Sequence, residues 1–294
     1  MKFWFAVTLA IVLSAIPTTI PAQAPKELPT GTKIDRDLAY GEHERQKFDL
    51  YVPKSETPLP LIIWIHGGGW EGGSKDNNPM MLLLAKGYAI AGINYRYSKQ
   101  APFPAQIHDC KAAIRFLRAN AKKHNLDTDH FGVCGASAGG HLVALLGTSD
   151  GVKELEGDGG NPKESSRVQA VCDWFGPTDL LKLSPAGGSP NAVTRLIGGD
   201  LGVKKDLTAS ANPITHIAKD DAPFLIIHGD KDRLVPLSQS ELLHEALKKA
   251  GVETELLIFK GAGHGDQEFR TQITTTENRD KTVKFFDKHL KAKS

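Results

Sequence analysis

The sequence predicts an α/β protein: a mostly parallel sheet with helices on both faces and a small cap insertion. Three observations lead there. Short apolar runs of strand length alternate with helix-periodic segments through the second part of the chain. Few hairpin signals separate the runs, which favours parallel pairing. One long connection, residues 177–216, is rich in Pro, Gly and Ser, breaks the rhythm, and reads as a cap beside a site rather than an idle loop.

The elements follow in chain order. Residues 25–32 hold Pro and Gly and read as an extended lead-in. Residues 48–52 alternate and stop at Pro53, as a half-buried strand does. Residues 61–65 and 88–93 are continuous apolar strands, with a short helical stretch from Pro79 between them. Residues 105–123 carry apolar residues at Ile107, Ala112, Ile114, Phe116 and Leu117, a spacing that suits an amphipathic helix. A strand at 131–134 meets a Gly-rich turn and a helix at 138–146. Strands at 168–174, 224–227 and 254–259, a helix at 237–250 and a terminal helix at 268–290 complete the fold, with a helical piece at 192–197 inside the cap. In such a sheet, active groups gather at the carboxyl ends of the strands.

Residues 25–294 suit one domain with a core of ordinary size. The formal net charge is +2, and no basic stripe or charged tail speaks for nucleic acid. Residues 3–16 are almost wholly apolar, Pro17 and Pro21 break the run, and Ala22-Gln23-Ala24 offers a cleavage site. Residues 1–24 therefore read as a signal peptide, implying a secreted or periplasmic protein. The run is short of the roughly 20 residues of a membrane span, so stable insertion is not expected. Cys110, Cys134 and Cys172 are an odd, sparse set. They read as buried packing residues, with no zinc-like spacing and no cofactor implied.

Gly135-Ala136-Ser137-Ala138-Gly139 matches G-x-S-x-G, in which a serine oxygen is held clear of the backbone at a turn too tight for large neighbours. Composition alone would supply roughly 0.14 such matches, so the pattern by itself is weak. Its setting strengthens it: a strand precedes and a helix follows, the helix bringing its positive end to a developing oxyanion. His66-Gly67-Gly68-Gly69-Trp70 follows another strand, where glycines let N–H groups turn toward a substrate oxygen. Oxyanion donors are assigned to Gly68, Gly69 and Ala138, with His66 shaping the loop.

A nucleophilic serine needs a base, and the base an orienting carboxylate. Among 11 histidines, His264 stands out, in a Gly-rich turn just after a strand. His228 ends an apolar run and reads as packed, and His141 as structural. Asp230 and Asp232 both follow the strand ending near His228. Asp232 is favoured because the stiff Arg233-Leu234-Val235-Pro236 segment follows it, and Asp230 is read as holding the turn. Trp70 and Trp174 are read as substrate-pocket walls, with core packing the alternative for Trp174.

Taken together, HGGGW, NYRYS, APFPAQIHDCKAAIRFLRAN, GASAGGHL, HGDKDRLVP and GAGHG resemble the hormone-sensitive-lipase-like α/β hydrolases, above all bacterial acetylxylan and feruloyl esterases. The likeness spans residues 35–290. It implies an α/β-hydrolase fold, Ser137, Asp232 and His264 as a catalytic triad, Asp109 and Arg115 as scaffold residues, and a short cap beside an open site. Ala136 departs from the histidine or acidic residue of many relatives, which alters the local surface only. The function expected is a secreted serine esterase acting on a small-molecule or oligosaccharide ester, with short acyl or feruloyl esters of plant polysaccharide foremost. The rivals are an arylformamidase or peptidase on the same fold and a catalytically inactive binding module. Acyl and alcohol specificity and oligomeric state are not legible.

Overall fold

The apolar runs become strands of a single sheet. The computed structural model describes residues 27–183 and 190–291, so the expected signal peptide and residues 184–189 of the expected cap lie outside the described residues. The strands are β1 (Lys33–Ala39), β2 (Lys47–Val52), β3 (Leu59–Ile65), β4 (Ala89–Ile93), β5 (Leu126–Ala136), β6 (Ala170–Trp174), β7 (Phe224–Gly229) and β8 (Thr254–Phe259). Their order is β1-β2-β4-β3-β5-β6-β7-β8. From β4 to β8 every pairing is parallel. This is the mostly parallel sheet of an α/β hydrolase.

β1 was not anticipated, and it forms an antiparallel hairpin with β2, which is itself antiparallel to β4. β1 reads Lys-Ile-Asp-Arg-Asp-Leu-Ala and is exposed or half-buried along its length, so no apolar alternation marks it. Its charges suit an edge strand that must not recruit another chain.

The helices are α1 (Ala105–Ala119), α2 (Ala121–His124), α3 (Ala138–Thr148), α4 (Lys153–Glu156), α5 (Pro190–Ile197), α6 (Lys205–Ser210), α7 (Ser238–Ala250), α8 (Gln267–Ile273) and α9 (Thr276–Leu290), with short 3-10 helices at Pro79–Lys86 and Pro213–Thr215. The expected helices at 105–123 and 268–290 each divide in two. Asn120 separates α1 from α2. Thr275 takes extended backbone and caps α9 by accepting the Asn278 N–H, which stops α8 two residues earlier.

Side chains on the strands alternate between two cores. Leu61, Ile63 and Ile65 meet Ile107, Leu142 and Leu243 of α1, α3 and α7. Ile62 and Trp64 join Met80, Phe269, Phe286 and Leu290 on the opposite face. Helices thus cover both faces, and the carboxyl ends of β3, β5, β7 and β8 open toward the loops carrying His66–Trp70, Ser137, Asp232 and His264. Cys110, Cys134 and Cys172 are free and buried, as expected of packing residues, and burial pushes the Cys110 and Cys134 thiols up. Among the described residues, no helix is long and apolar enough to cross a membrane.

Candidate active site

Ser137 sits where β5 turns into α3, with φ 56° and ψ −120°. A non-glycine residue in that region is strained, and the surroundings hold it there. Its N–H donates to Trp174 O (2.8 Å), and its carbonyl accepts from His141 N–H (2.9 Å). The turn tolerates no side chain at its two glycines: a Cβ on Gly139 would strike the Ile65 carbonyl, and one on Gly135 the Gly139 carbonyl. The glycines of the pattern are thus required by close backbone approach.

His264 reaches this serine from the loop after β8. Ser137 Oγ–H donates to His264 Nε2 at 2.8 Å, and His264 Nδ1–H donates to Asp232 Oδ2 at 2.6 Å. The other oxygen of Asp232 accepts the N–H groups of Leu234 (2.8 Å) and Val235 (2.9 Å), so the stiff segment after it fixes the carboxylate. Burial alone would raise the Asp232 pKa. Hydrogen bonds from His228 and His264 outweigh it and hold the carboxyl well below the usual carboxylate range. Asp230 instead accepts Gly261 N–H (2.7 Å), tying the β7 turn to the histidine loop.

Several supporting residues escaped sequence reasoning. Asp266 accepts Gly263 N–H (2.9 Å) and caps α8 through Phe269 N–H (2.9 Å), which braces the loop on the far side of His264. An Asp ahead of a helical run was the available signal. Phe175, at φ 44°, sets its ring edge-on to His264 with centroids 4.7 Å apart. No sequence pattern marks that role. His228 is packed, as expected, yet it also faces Asp232: Nε2–H donates to Val235 O (2.8 Å) with Asp232 Oδ2 at 3.3 Å, and Nδ1 accepts from Ser240 Oγ (2.6 Å).

The glycine loop lies against the same turn. A Cβ on Gly67 would come 2.6 Å from Ala136 O and 3.2 Å from Ser137 Cβ. Gly68, Gly69 and Trp70 all have positive φ (107°, 61° and 58°), in a tight turn closed by the Glu71 and Gly72 N–H groups donating to Gly68 O (3.0 Å each). Among the described residues, the Gly68 and Gly69 N–H groups have no hydrogen-bond partner. Ala138 N–H belongs to the first turn of α3, where no intrahelical acceptor exists.

His66 is structural as expected. It receives Arg45 Nη2–H on Nε2 (3.2 Å), donates Nδ1–H to Gly67 O (2.8 Å) and stacks on Tyr95. Burial lowers its pKa to about 4, so it is neutral near pH 7. His141 accepts Trp70 Nε1–H (3.3 Å) and donates Nε2–H to Ala211 O (2.7 Å), and burial likewise brings it to about 4. Asp109 holds Arg96, and Arg115 binds Glu156, as scaffold residues do.

Trp70 corrects the sequence reading, and Trp174 takes the core-packing alternative left open for it. Trp174 is 2% exposed and packs beneath the sheet against Trp64 and Phe269. Trp70 is 3% exposed, its ring wedged against His141. Neither ring offers a pocket wall, because the strand alternation and the hydrogen bond to His141 turn both inward.

Asp173 supplies a pH prediction. It is buried on β6, Oδ1 accepts Gly176 N–H (2.9 Å), and Oδ2 has no partner among the described residues. Burial raises its pKa to about 6, against the Gly176 bond and nearby His228. Between about pH 4 and 6 the native state keeps a proton that the unfolded chain releases, so stability falls as pH rises through that window, by up to about 3 kcal/mol. Asp232 acts oppositely, adding stability that is lost as pH falls, in the parent protein and the variant alike. Asp173→Asn should therefore flatten the fall in thermal midpoint from pH 4 to 6. Parallel midpoint curves for the two proteins would show that Asp173 does not titrate there.

A family model described as BD-FAE matches residues 48–247. The chain belongs to the BD-FAE family. It is 31% identical over 239 residues to the probable carboxylic ester hydrolase LipM of Mycobacterium tuberculosis, covering 76% of this chain and 54% of that protein. It thus spans about half the length of the curated relatives it matches. Among solved structures, a truncated carbohydrate esterase from gut microbiota shares 33% identity with TM-score 0.79, covering 89% of this chain and 99% of that one. The acetyl ester-xyloside bifunctional hydrolase of Caldicellulosiruptor lactoaceticus shares 27% identity with TM-score 0.70, covering 82% and 88%. These α/β-hydrolase esterases fit the BD-FAE assignment.

Proposed function

We propose that this BD-FAE family member is a serine carboxylic ester hydrolase with Ser137 as nucleophile, His264 as general base and acid, and Asp232 as the orienting carboxylate. The observation that carries the reading is the unbroken hydrogen-bonded line from Ser137 Oγ through His264 to Asp232 Oδ2. His264 takes the serine proton as Oγ attacks the ester carbonyl. The resulting oxyanion is met by the N–H groups of Gly68, Gly69 and Ala138. His264 then protonates the leaving alcohol, and a water activated by the same ring releases the acid. Asp232, held ionised by its hydrogen bonds, favours the Nδ1–H tautomer and stabilises the transient imidazolium.

For substrate we propose short acyl or feruloyl esters of plant polysaccharide. The names of two structural relatives, a carbohydrate esterase and an acetyl ester-xyloside hydrolase, support that class. We extend the proposal to a secreted or periplasmic protein on the signal-peptide reading of residues 1–24, and to the 177–216 segment as a small cap. Incubation with acetylated and feruloylated xylan fragments should release acetate or ferulate, and Ser137→Ala should release neither. Turnover of p-nitrophenyl acetate with no release from either fragment would remove the polysaccharide class and leave the esterase.

A further inference from the structure

The glycine loop and the 177–216 segment are joined by an ion pair that the chemistry above does not use. Arg195 on α5 grips Glu71 in a fork: Nε–H donates to Oε1, and Nη2–H donates to Oε2 at 2.6 Å. Ser98 Oγ–H donates to the same carboxylate at 3.4 Å. Glu71 follows Trp70 directly, and its N–H donates to Gly68 O (3.0 Å), closing the turn that displays the Gly68 and Gly69 N–H groups. α5 also approaches that turn directly, with Ala192 Cβ 3.7 Å from where a side chain on Gly69 would begin. Val193, Leu196 and Ile197 root α5 in the core.

Of the loop's three successive positive-φ residues only Trp70 is not glycine, so the backbone strain of the loop sits there, directly beside Glu71, and contacts outside the turn must hold it. Arg195 is half-exposed, and an exposed ion pair contributes little to global stability. The two-point fork nevertheless fixes the carboxylate in position and orientation, which a single-point contact does not. Its effect therefore falls on where the loop amides stand rather than on whether the protein folds.

We propose that Glu71 and Arg195 are positioning residues for the oxyanion-binding loop, clamping it to the core-rooted α5 so that the helix sets where the donors stand. The inference rests on the esterase reading. A misplaced donor weakens transition-state binding more than ground-state binding, so the loss appears in kcat.

The test is a double-mutant cycle on the full chain with p-nitrophenyl acetate, kcat being normalised to the serine titrated by a fluorophosphonate so that unfolded protein does not count. Glu71→Gln and Arg195→Met are each expected to lower kcat about tenfold, a fraction of the loss from deleting a donor outright. KM should change less, and the thermal midpoint should stay close to that of the parent. The double variant should fall no further than either single one, because both remove the same clamp. Single variants with kcat within twofold of the parent, or losses that multiply in the double variant, would overturn the proposal. A parent protein inert toward the ester would overturn the esterase reading itself, a result distinct from unaffected variants of an active parent.

Discussion

Ser137→Ala should lower kcat on p-nitrophenyl acetate by about a millionfold, the scale seen when a triad nucleophile is removed. The size follows from what the oxygen does. Among the described residues only Ser137 Oγ hydrogen-bonds His264 Nε2, at 2.8 Å, so no neighbour there stands ready to accept the acyl group in its place. The glycine loop and its N–H groups survive the change, which leaves binding and some oxyanion stabilisation but no covalent route. Folding should be little affected. Alanine occupies the same strained backbone as serine, and the Trp174 and His141 hydrogen bonds at this residue involve its main chain alone. Steady-state kinetics beside a thermal midpoint would check both halves. Residual activity within a hundredfold of the parent would point to a different nucleophile.

Asp232→Asn should cost about ten-thousandfold in kcat, with a smaller change in KM. An asparagine keeps the shape, and its Oδ1 can still accept from Leu234 and Val235 N–H. Its amide nitrogen, however, would stand where Oδ2 now accepts from His264 Nδ1–H. Two donors cannot face each other, so the imidazole takes the other tautomer and presents Nε2–H to the serine. The base is then lost although every heavy atom is in place. Raising the pH should restore little of the loss, because the fault is the tautomer and not a displaced titration. Activity within tenfold of the parent would show that Asp232 does not orient the ring, leaving His228 or another group to do so.

The parallel part of the fold was legible because buried strands such as residues 61–65 are continuous apolar runs and their helices carry a matching stripe. β1 was not, because an exposed edge strand has no core to select its side chains. The division of 268–290 was also hidden, since a threonine cap between two polar helical stretches leaves the periodicity almost intact. In the site, Ser137, Asp232 and His264 stood out because each follows a strand in the chain order the chemistry uses. Trp70 misled, and the reading of Trp174 stayed open, for one physical reason: aromatic composition does not say which way a ring points. Phe175 and the Glu71–Arg195 clamp act across distant segments, and one sequence read alone carries no signal of such partnerships, whereas Asp266 acts on its own neighbours and its place ahead of a helical run was a signal passed over.

The central claim is that Ser137 is the activated nucleophile. Treatment of the full chain with a fluorophosphonate, followed by mass spectrometry of its peptides, tests it most directly. The prediction is one stoichiometric adduct on the peptide carrying Ser137, absent from Ser137→Ala and formed far more slowly in His264→Ala. An unlabelled protein, or an adduct on another serine, would contradict it.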